Sequence, residues 1–339
     1  MIDALHKRKF LNCLIICSVL LILSGCVSHH LQTKNVEPLQ PLQEKQQDED
    51  HSAVDPPEEK PPPPTEMEEL KQRLAANGVP VKWFDAQIQH ESFRLHSEIG
   101  QRFQKSAEKQ IDHDKKFDVS WYFKLMNVDA RIKQGTIFIK DHLDILTGAE
   151  AKHGIHKELI AAIIGIETNF ADNRQRGEYQ AFNALVSQYL YTGRQNFAVR
   201  ELTALYKFSM QTGHPTSYFT SSYAGAIGWG QFIPSSLLAF FVDSNGIDSD
   251  MDPFSIEDAI FSVENYLHAN HLSGENIGNY NSKYKAVFAY NHSDIYVKAV
   301  LYIYDGLYRY FNLPQKNLHS KKNKEIEMIN LSDHFFTGD

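Results

Sequence analysis

Cysteine is nearly absent from this chain. Its 339 residues hold three, Cys13, Cys17 and Cys26, all close to the N-terminus. Loss of a leader through Gly25 would leave Cys26 alone, which excludes a disulfide within the mature chain and a cysteine-based catalytic or metal centre. A basic stripe is also missing, and the formal net charge is −8, so nucleic acid is not an expected partner. Sixteen histidines contain no His-Glu-x-x-His segment, and His268 with His271 reads as a solvated pair, so catalytic zinc is not expected. Alternating apolar runs long enough for strands are few, and no internal repeat stands out.

The N-terminus does carry a pattern. Lys7, Arg8 and Lys9 precede an apolar stretch from Leu14 to Leu23, followed by Ser24-Gly25-Cys26. A basic region, an apolar core too short for a comfortable span and small residues before the cut make an export signal over 1–25. Leu23-Ser24-Gly25-Cys26 resembles the lipobox of bacterial lipoproteins, which implies lipidation at Cys26. An uncleaved anchor is the alternative. Val27 after that cysteine resembles outer-membrane sorting in a Gram-negative cell. Residues 26–65 are then rich in Gln, Glu, Asp and Pro and end in Pro61-Pro62-Pro63-Pro64. Charge and low hydrophobicity prevent a core there, and the prolines favour an extended tether. Eight acids against three bases between Val27 and Thr65 give −5, so the folded body is only mildly acidic.

The body, 66–312, with a tail at 313–339, reads as mainly α. Helices are expected from Met67 to about Gly78, from Ile137 to Lys152, along the Leu159 run after Gly154, and over Arg200–Met210, Ser255–Ala269 and Ile295–Tyr310. Sixteen Tyr and 21 Phe supply either a core or platforms for sugar rings.

Glu167 closes Leu159-Ile160-Ala161-Ala162-Ile163-Ile164-Gly165-Ile166. Burial and a helix C-terminus both disfavour an anion, so this side chain should hold its proton to higher pH than a solvated glutamate. A proton-holding glutamate points to a general acid. Pairing with Arg174 or Arg176 is the other reading of the stretch, since buried charges are usually neutralised. Downstream, Ser222-Tyr223-Ala224-Gly225-Ala226-Ile227-Gly228-Trp229-Gly230-Gln231 could bring backbone close to a ligand, with Ser222 and Gln231 as hydrogen-bonding side chains. It could equally be a turn before a helix capped by Ser235 or Ser236. His292 beside Ser293 lacks an identifiable third member for a triad.

Glu167 within Gly165-Ile166-Glu167-Thr168, the segment from Ser222 to Gly228 with Gln231-Phe232-Ile233-Pro234-Ser235-Ser236, Asp258-Ala259-Ile260 with Asn265-Tyr266-Leu267, and Tyr290-Asn291-His292-Ser293 with Tyr296 together resemble the lytic murein transglycosylase B family. The resemblance spans roughly Glu66 to Tyr310. It implies a lysozyme-like core with additional N-terminal helices, and cleavage of the β-1,4 bond between N-acetylmuramic acid and N-acetylglucosamine in peptidoglycan to give 1,6-anhydromuramoyl ends. Glu167 is then a single acid/base. The resemblance further implies that Ser222 bonds the muramoyl acetamido group, that Gln231 faces the sugar, that Tyr290 lies near the carboxylate, and that Tyr266 and Tyr296 line the groove. Arg194 falls where the family carries arginines that meet stem-peptide carboxylates, although the adjacent pair is Gly193-Arg194 here.

Implied partners are glycan strands of the cell envelope and the membrane through Cys26; partners among cell-wall machinery are not identified. No cofactor is implied as required. Some relatives hold calcium before the Asp-Ala-Ile helix, and Asp243, Asn245, Asp248, Asp250 and Asp252 offer oxygen ligands, but their spacing departs from an EF-hand. A helix-capping acidic turn is the favoured reading of that loop. Only about 20 residues separate Tyr266 from Tyr290, which implies a groove more open on that side. Hydrolysis of the lysozyme type and a non-catalytic peptidoglycan-binding lipoprotein remain the alternative functions.

Overall fold

The computed structural model describes residues 64–114, 119–247 and 250–313. The leader, Cys26, all but the last two residues of the tether, Asp248 and the tail beyond 313 lie outside them. In chain order the helices are α1 (Pro64–Ala76), α2 (Val81–Gln89), α3 (Glu98–Asp114), α4 (Val119–Met126), α5 (Val128–Asp141), α6 (Leu143–His153) and α7 (Lys157–Thr168), then α8 (Ala181–Tyr191), α9 (Gln195–Thr212), α10 (Pro234–Phe240), α11 (Ile256–Ala269), α12 (Tyr280–Tyr290) and α13 (Asp294–Asn312). A two-residue antiparallel pair, β1 (Tyr179–Gln180) and β2 (Thr220–Ser221), is the sheet among the described residues. None of the described helices is long and apolar enough to cross a membrane.

The apolar run becomes the axis of the core. Every residue of α7 from Glu158 to Thr168 is buried, a pattern that only a helix wrapped on all sides can sustain. α13, α5, α11 and α6 do the wrapping, while α8, α9 and α10 form a second group on which α1 and α3 pack. Burying side chains such as Leu159, Ile160, Ile163 and Ile164 contributes about 1.5–3 kcal/mol each.

Punctuation in the sequence accounts for several boundaries. Gly78, Gly154 and Gly213 follow α1, α6 and α9 with φ of +82°, +73° and +71°. Ser255 and Ser293 cap α11 and α13 by accepting the amides of Asp258 (3.2 Å) and Tyr296 (3.4 Å). Ser293 is therefore a helix cap. The expected single helix over Ile137–Lys152 is divided at His142, where φ is −119° and ψ 30°. No glycine or proline stands there; the bend lets α5 pack on α7 and α13 while α6 packs on α11. Neither Ser235 nor Ser236 caps α10. Ser235 instead donates its amide (2.8 Å) and hydroxyl (3.0 Å) to the buried carboxylate of Glu201 on α9.

Candidate functional site

Glu167 is the penultimate residue of α7, and the backbone reverses directly behind it. Asn169, Phe170 and Ala171 all have positive φ, of 53°, 62° and 57°. For Phe170 and Ala171 such a conformation costs about 1–2 kcal/mol each, so the surrounding packing must impose it. Phe170 supplies that packing: its ring lies against Gly165 and Gly135, where a Cβ on either glycine would collide with it. The Asn169 amide closes the turn on Gly165 O at 3.1 Å.

The carboxyl of Glu167 is 8% exposed, and Tyr296 from α13 donates its hydroxyl to Oε1 at 2.6 Å. Burial pushes the carboxyl up to about 8, against the opposing pulls of the Tyr296 hydrogen bond and the Arg131 charge. Glu167 is thus a neutral acid at pH 7. Pairing with a neighbouring arginine is not what the structure shows. Arg174 pairs with Asp172, and the Arg176 guanidinium lies 4.0 Å over the Phe254 ring.

The cation that does bear on the site is Arg131, on α5. It is buried, donates from Nε to Met126 O (2.7 Å), and grips the end of α7 through Gly165 O and Asn169 Oδ1 (3.2 Å). It sits where the carbonyls of α7 converge, so its charge also compensates the negative end of the helix.

The glycine-rich segment folds into a tight loop against this helix end. Ile227 and Phe232 exchange amide bonds of 2.8 and 3.0 Å, and Thr168 Oγ1 donates to Trp229 O at 2.9 Å. Gly228, at φ +76°, has no room for a Cβ because Pro253 fills that space. Ser222 is buried and its Oγ accepts the Ala226 amide at 3.2 Å; Gln231, at φ 52°, donates from Nε2 to Gly228 O at 2.9 Å. Tyr290 ends α12 with its hydroxyl on Gly230 O at 2.5 Å. Burial and the nearby Glu167 charge hold that phenol well above its ordinary range. Tyr266 packs its ring 4.8 Å from that of Tyr290, donates to Ala289 O at 2.8 Å, and is pushed up to about 12 by burial.

Glu167, the loop with Gln231, Tyr290, Tyr266 and Tyr296 are therefore brought together. Tyr296 is fully buried and holds the carboxyl directly, whereas Tyr290, near enough to feel the Glu167 charge, holds the loop. Arg194 stands further out, its guanidinium 3.9 Å over Phe197 and 5.1 Å from Phe103, and bonds Gln188 (3.4 Å), which in turn donates to Tyr223 O (3.1 Å). Burial, then Arg200, pushes it down to about 10.

Two further residues emerge only here. Asn291, 1% exposed beside Tyr290, has neither its side-chain Nδ2 nor its Oδ1 hydrogen-bonded to the protein. A buried polar group left so costs about 1–3 kcal/mol. Its signal was the Tyr-Asn-His-Ser segment. Arg131 had no local signal.

The acidic loop spends its oxygens on itself. Asp243 Oδ1 accepts the amides of Asn245 (2.6 Å) and Gly246 (3.0 Å), and Asn245 Oδ1 that of Ile247 (3.0 Å). Asp252 accepts from Phe254 N (2.8 Å) and the Tyr218 hydroxyl (2.7 Å); Asp258 accepts from Ser244 N and Asp252 N. Among the described residues no three His, Cys, Asp or Glu side chains converge. The loop as arranged fits a self-capping turn.

The family model of the transglycosylase SLT domain matches residues 64–281. Membrane-bound lytic murein transglycosylase B of Escherichia coli (strain K12) is 31% identical over 150 residues, covering 44% of this chain and 41% of that protein, so the chain matches less than half the length of this curated relative. SltB3 of Pseudomonas aeruginosa, solved in complex with NAG-anhNAM-pentapeptide, superposes with a TM-score of 0.58 at 20% identity, covering 71% of this chain and 78% of that one. Escherichia coli Slt35, solved in complex with calcium, does so with 0.58 at 19% identity, covering 71% and 92%. The fold is accordingly mainly α and lysozyme-like.

Proposed function

The chain belongs to the transglycosylase SLT domain family, and on that premise we propose that it is a lytic transglycosylase that cleaves the β-1,4 bond between N-acetylmuramic acid and N-acetylglucosamine in peptidoglycan, leaving a 1,6-anhydromuramoyl end. The observation that carries this reading is a buried, protonated Glu167 on which, among the described residues, no second carboxylate acts. Ordinary glycosidases use two carboxyl groups, one to protonate the leaving oxygen and one to attack or to activate water. A single carboxyl suffices if the nucleophile is the substrate's own hydroxyl.

Glu167 donates its proton to the glycosidic oxygen, the bond from C1 to that oxygen breaks, and the 2-acetamido oxygen of the muramoyl ring stabilises the positive charge at C1. The carboxylate so formed accepts the Tyr296 hydroxyl hydrogen bond and feels the Arg131 charge. It then takes the proton of the C6 hydroxyl as that oxygen closes onto C1. One group acts as acid and then base. Ser222 and Gln231 offer hydrogen bonds to acetamido and hydroxyl groups, Tyr290 and Tyr266 shape the wall, and Arg194 meets stem carboxylates. Neither a cofactor nor calcium enters a step. The reading extends to the setting: a leader over 1–25 and lipidated Cys26 tether the enzyme in the cell envelope, at the outer membrane facing the periplasm of a Gram-negative cell.

Digestion of purified sacculi by the full chain, followed by mass spectrometry, tests this. Anhydro ends are one water lighter than hydrated ones, and only anhydro ends are expected. Glu167→Gln should lower turnover by at least about 10³-fold while sacculus binding persists. Hydrated ends alone would replace the scheme with a hydrolase, and cleavage undiminished in the variant would remove Glu167 from it.

A further inference from the structure

Thr168, the last residue of α7, is fully buried, and its hydroxyl oxygen lies where three segments of the chain meet. Oγ1 is 2.9 Å from Trp229 O in the glycine-rich loop and 3.3 Å from Ile164 O one turn back on its own helix. It also accepts, at 3.3 Å, the amide of Ala171, the third left-handed residue of the reversing turn. A threonine inside a helix commonly returns its proton to the carbonyl four residues back. Here the contact with the loop is the shorter, so the single proton goes there. Trp229 is itself fixed, by its amide on Pro253 O (3.0 Å) and its indole Nε1 on Phe254 O (2.7 Å). The next carbonyl, Gly230 O, is held by the hydroxyl of Tyr290 from α12. Two hydroxyls from two helices therefore hold consecutive carbonyls just before Gln231.

We propose that Thr168 is a positioning residue, whose hydroxyl fixes the distance between Glu167 and the loop that carries Ser222 and Gln231. The assignment rests on the transglycosylase reading and names what sets the acid against its substrate. Thr168 directly follows Glu167, and Trp229 stands two residues before Gln231, so the bond joins acid and loop by a short path. A general acid works within about 2.6–3.2 Å of the oxygen it protonates, and a misplacement of about 1 Å can cost about 10²-fold in rate. With the sugar held by the loop and the acid by α7, the join between the two sets that distance. Tyr296 and Arg131 act on the proton of the carboxyl, whereas the Thr168 hydroxyl acts on where its backbone stands. Thr168 and Trp229 are 0% and 4% exposed, so water does not take the place of a lost bond.

Removing the hydroxyl at nearly constant shape tests this. In the full chain, Thr168→Val should lower kcat on soluble glycan strands about tenfold and leave KM within about twofold. The alkaline limb of its pH profile should stay in place, because burial, Tyr296 and Arg131 still act on Glu167. Thr168→Ser, which restores the donor, should recover most of the rate. Rates are taken well below the melting temperature of each variant, and Thr168→Ala serves in place of Thr168→Val if the latter does not fold. In the Glu167→Gln background, Thr168→Val should bind the strands as tightly as its parent, since the hydroxyl places the acid and not the sugar. An unchanged kcat, a displaced limb, no recovery with serine, or a binding loss as large as the rate loss would each overturn the assignment. The sacculus digest of the unmodified chain decides the enzymatic reading separately. Hydrated ends would remove the anhydro chemistry and leave the positioning role, which any general acid needs; anhydro ends with turnover unchanged in Thr168→Val would remove the role alone.

Discussion

Glu167 is held between opposing influences of unequal size. Desolvation raises its proton affinity and prevails over the Tyr296 hydrogen bond and the Arg131 charge, leaving the carboxyl protonated up to about pH 8. An acid that must be protonated in the free enzyme loses activity as pH rises through its pKa, so kcat/KM should fall through about pH 8. Arg131 lowers that pKa, so removing its charge raises it. Arg131→Met should therefore move the alkaline limb to higher pH, and Arg131→Lys should leave it in place. Full pH profiles of both variants check this, with thermal melts to show that each folds; a limb unmoved in Arg131→Met would mean that the guanidinium acts only through its bonds to Gly165 and Asn169.

At the scale of the element, the end of α7 is a designed stop. A helix can present its last carboxylate to a groove only if the chain turns away at once, and here three left-handed residues do so. The Phe170 ring locks the turn by occupying space that Gly135 and Gly165 leave empty. Gly165→Ala puts a methyl into that ring. It should cost about 1–3 kcal/mol of stability by overpacking and lower turnover more than stability alone explains, because the turn carries Glu167 with it. Denaturant midpoints alongside sacculus turnover measure the two effects. Adding Phe170→Leu should recover part of the stability; no recovery would place the strain elsewhere. The helices whose ends carry Ser, Gly or a long apolar stripe were legible in the sequence. α2, α3, α4, α8 and α12 carry no such signal, and nothing in the neighbourhood of His142 disfavours helix; the bend there answers to packing of α5 and α6 on different partners.

At the scale of the molecule, the first described helix starts at Pro64, the last residue of the proline run. The reading of Cys26 as a lipid anchor predicts a division of labour: Cys26→Ser should shift the protein from the membrane to the soluble fraction with catalysis on isolated sacculi unchanged. Fractionation with immunodetection checks it, and membrane retention of the variant would favour an uncleaved anchor.

The sequence by itself determined that the body is helical, that one carboxylate sits at the end of its most apolar helix, and that a glycine-rich loop and a Tyr-Asn-His-Ser segment accompany it. These are local properties, written in periodicity, capping and glycine placement. Only the tertiary structure decided that Tyr296 rather than Tyr290 binds Glu167, that Arg131 rather than Arg174 or Arg176 is the cation acting on it, and that the side-chain amide of Asn291 is buried without a protein partner. Tyr296 lies 129 residues from Glu167 along the chain. Such a contact depends on how α13 crosses α7, and helix crossing is set by the packing of whole faces, which a pattern of neighbouring residues does not encode.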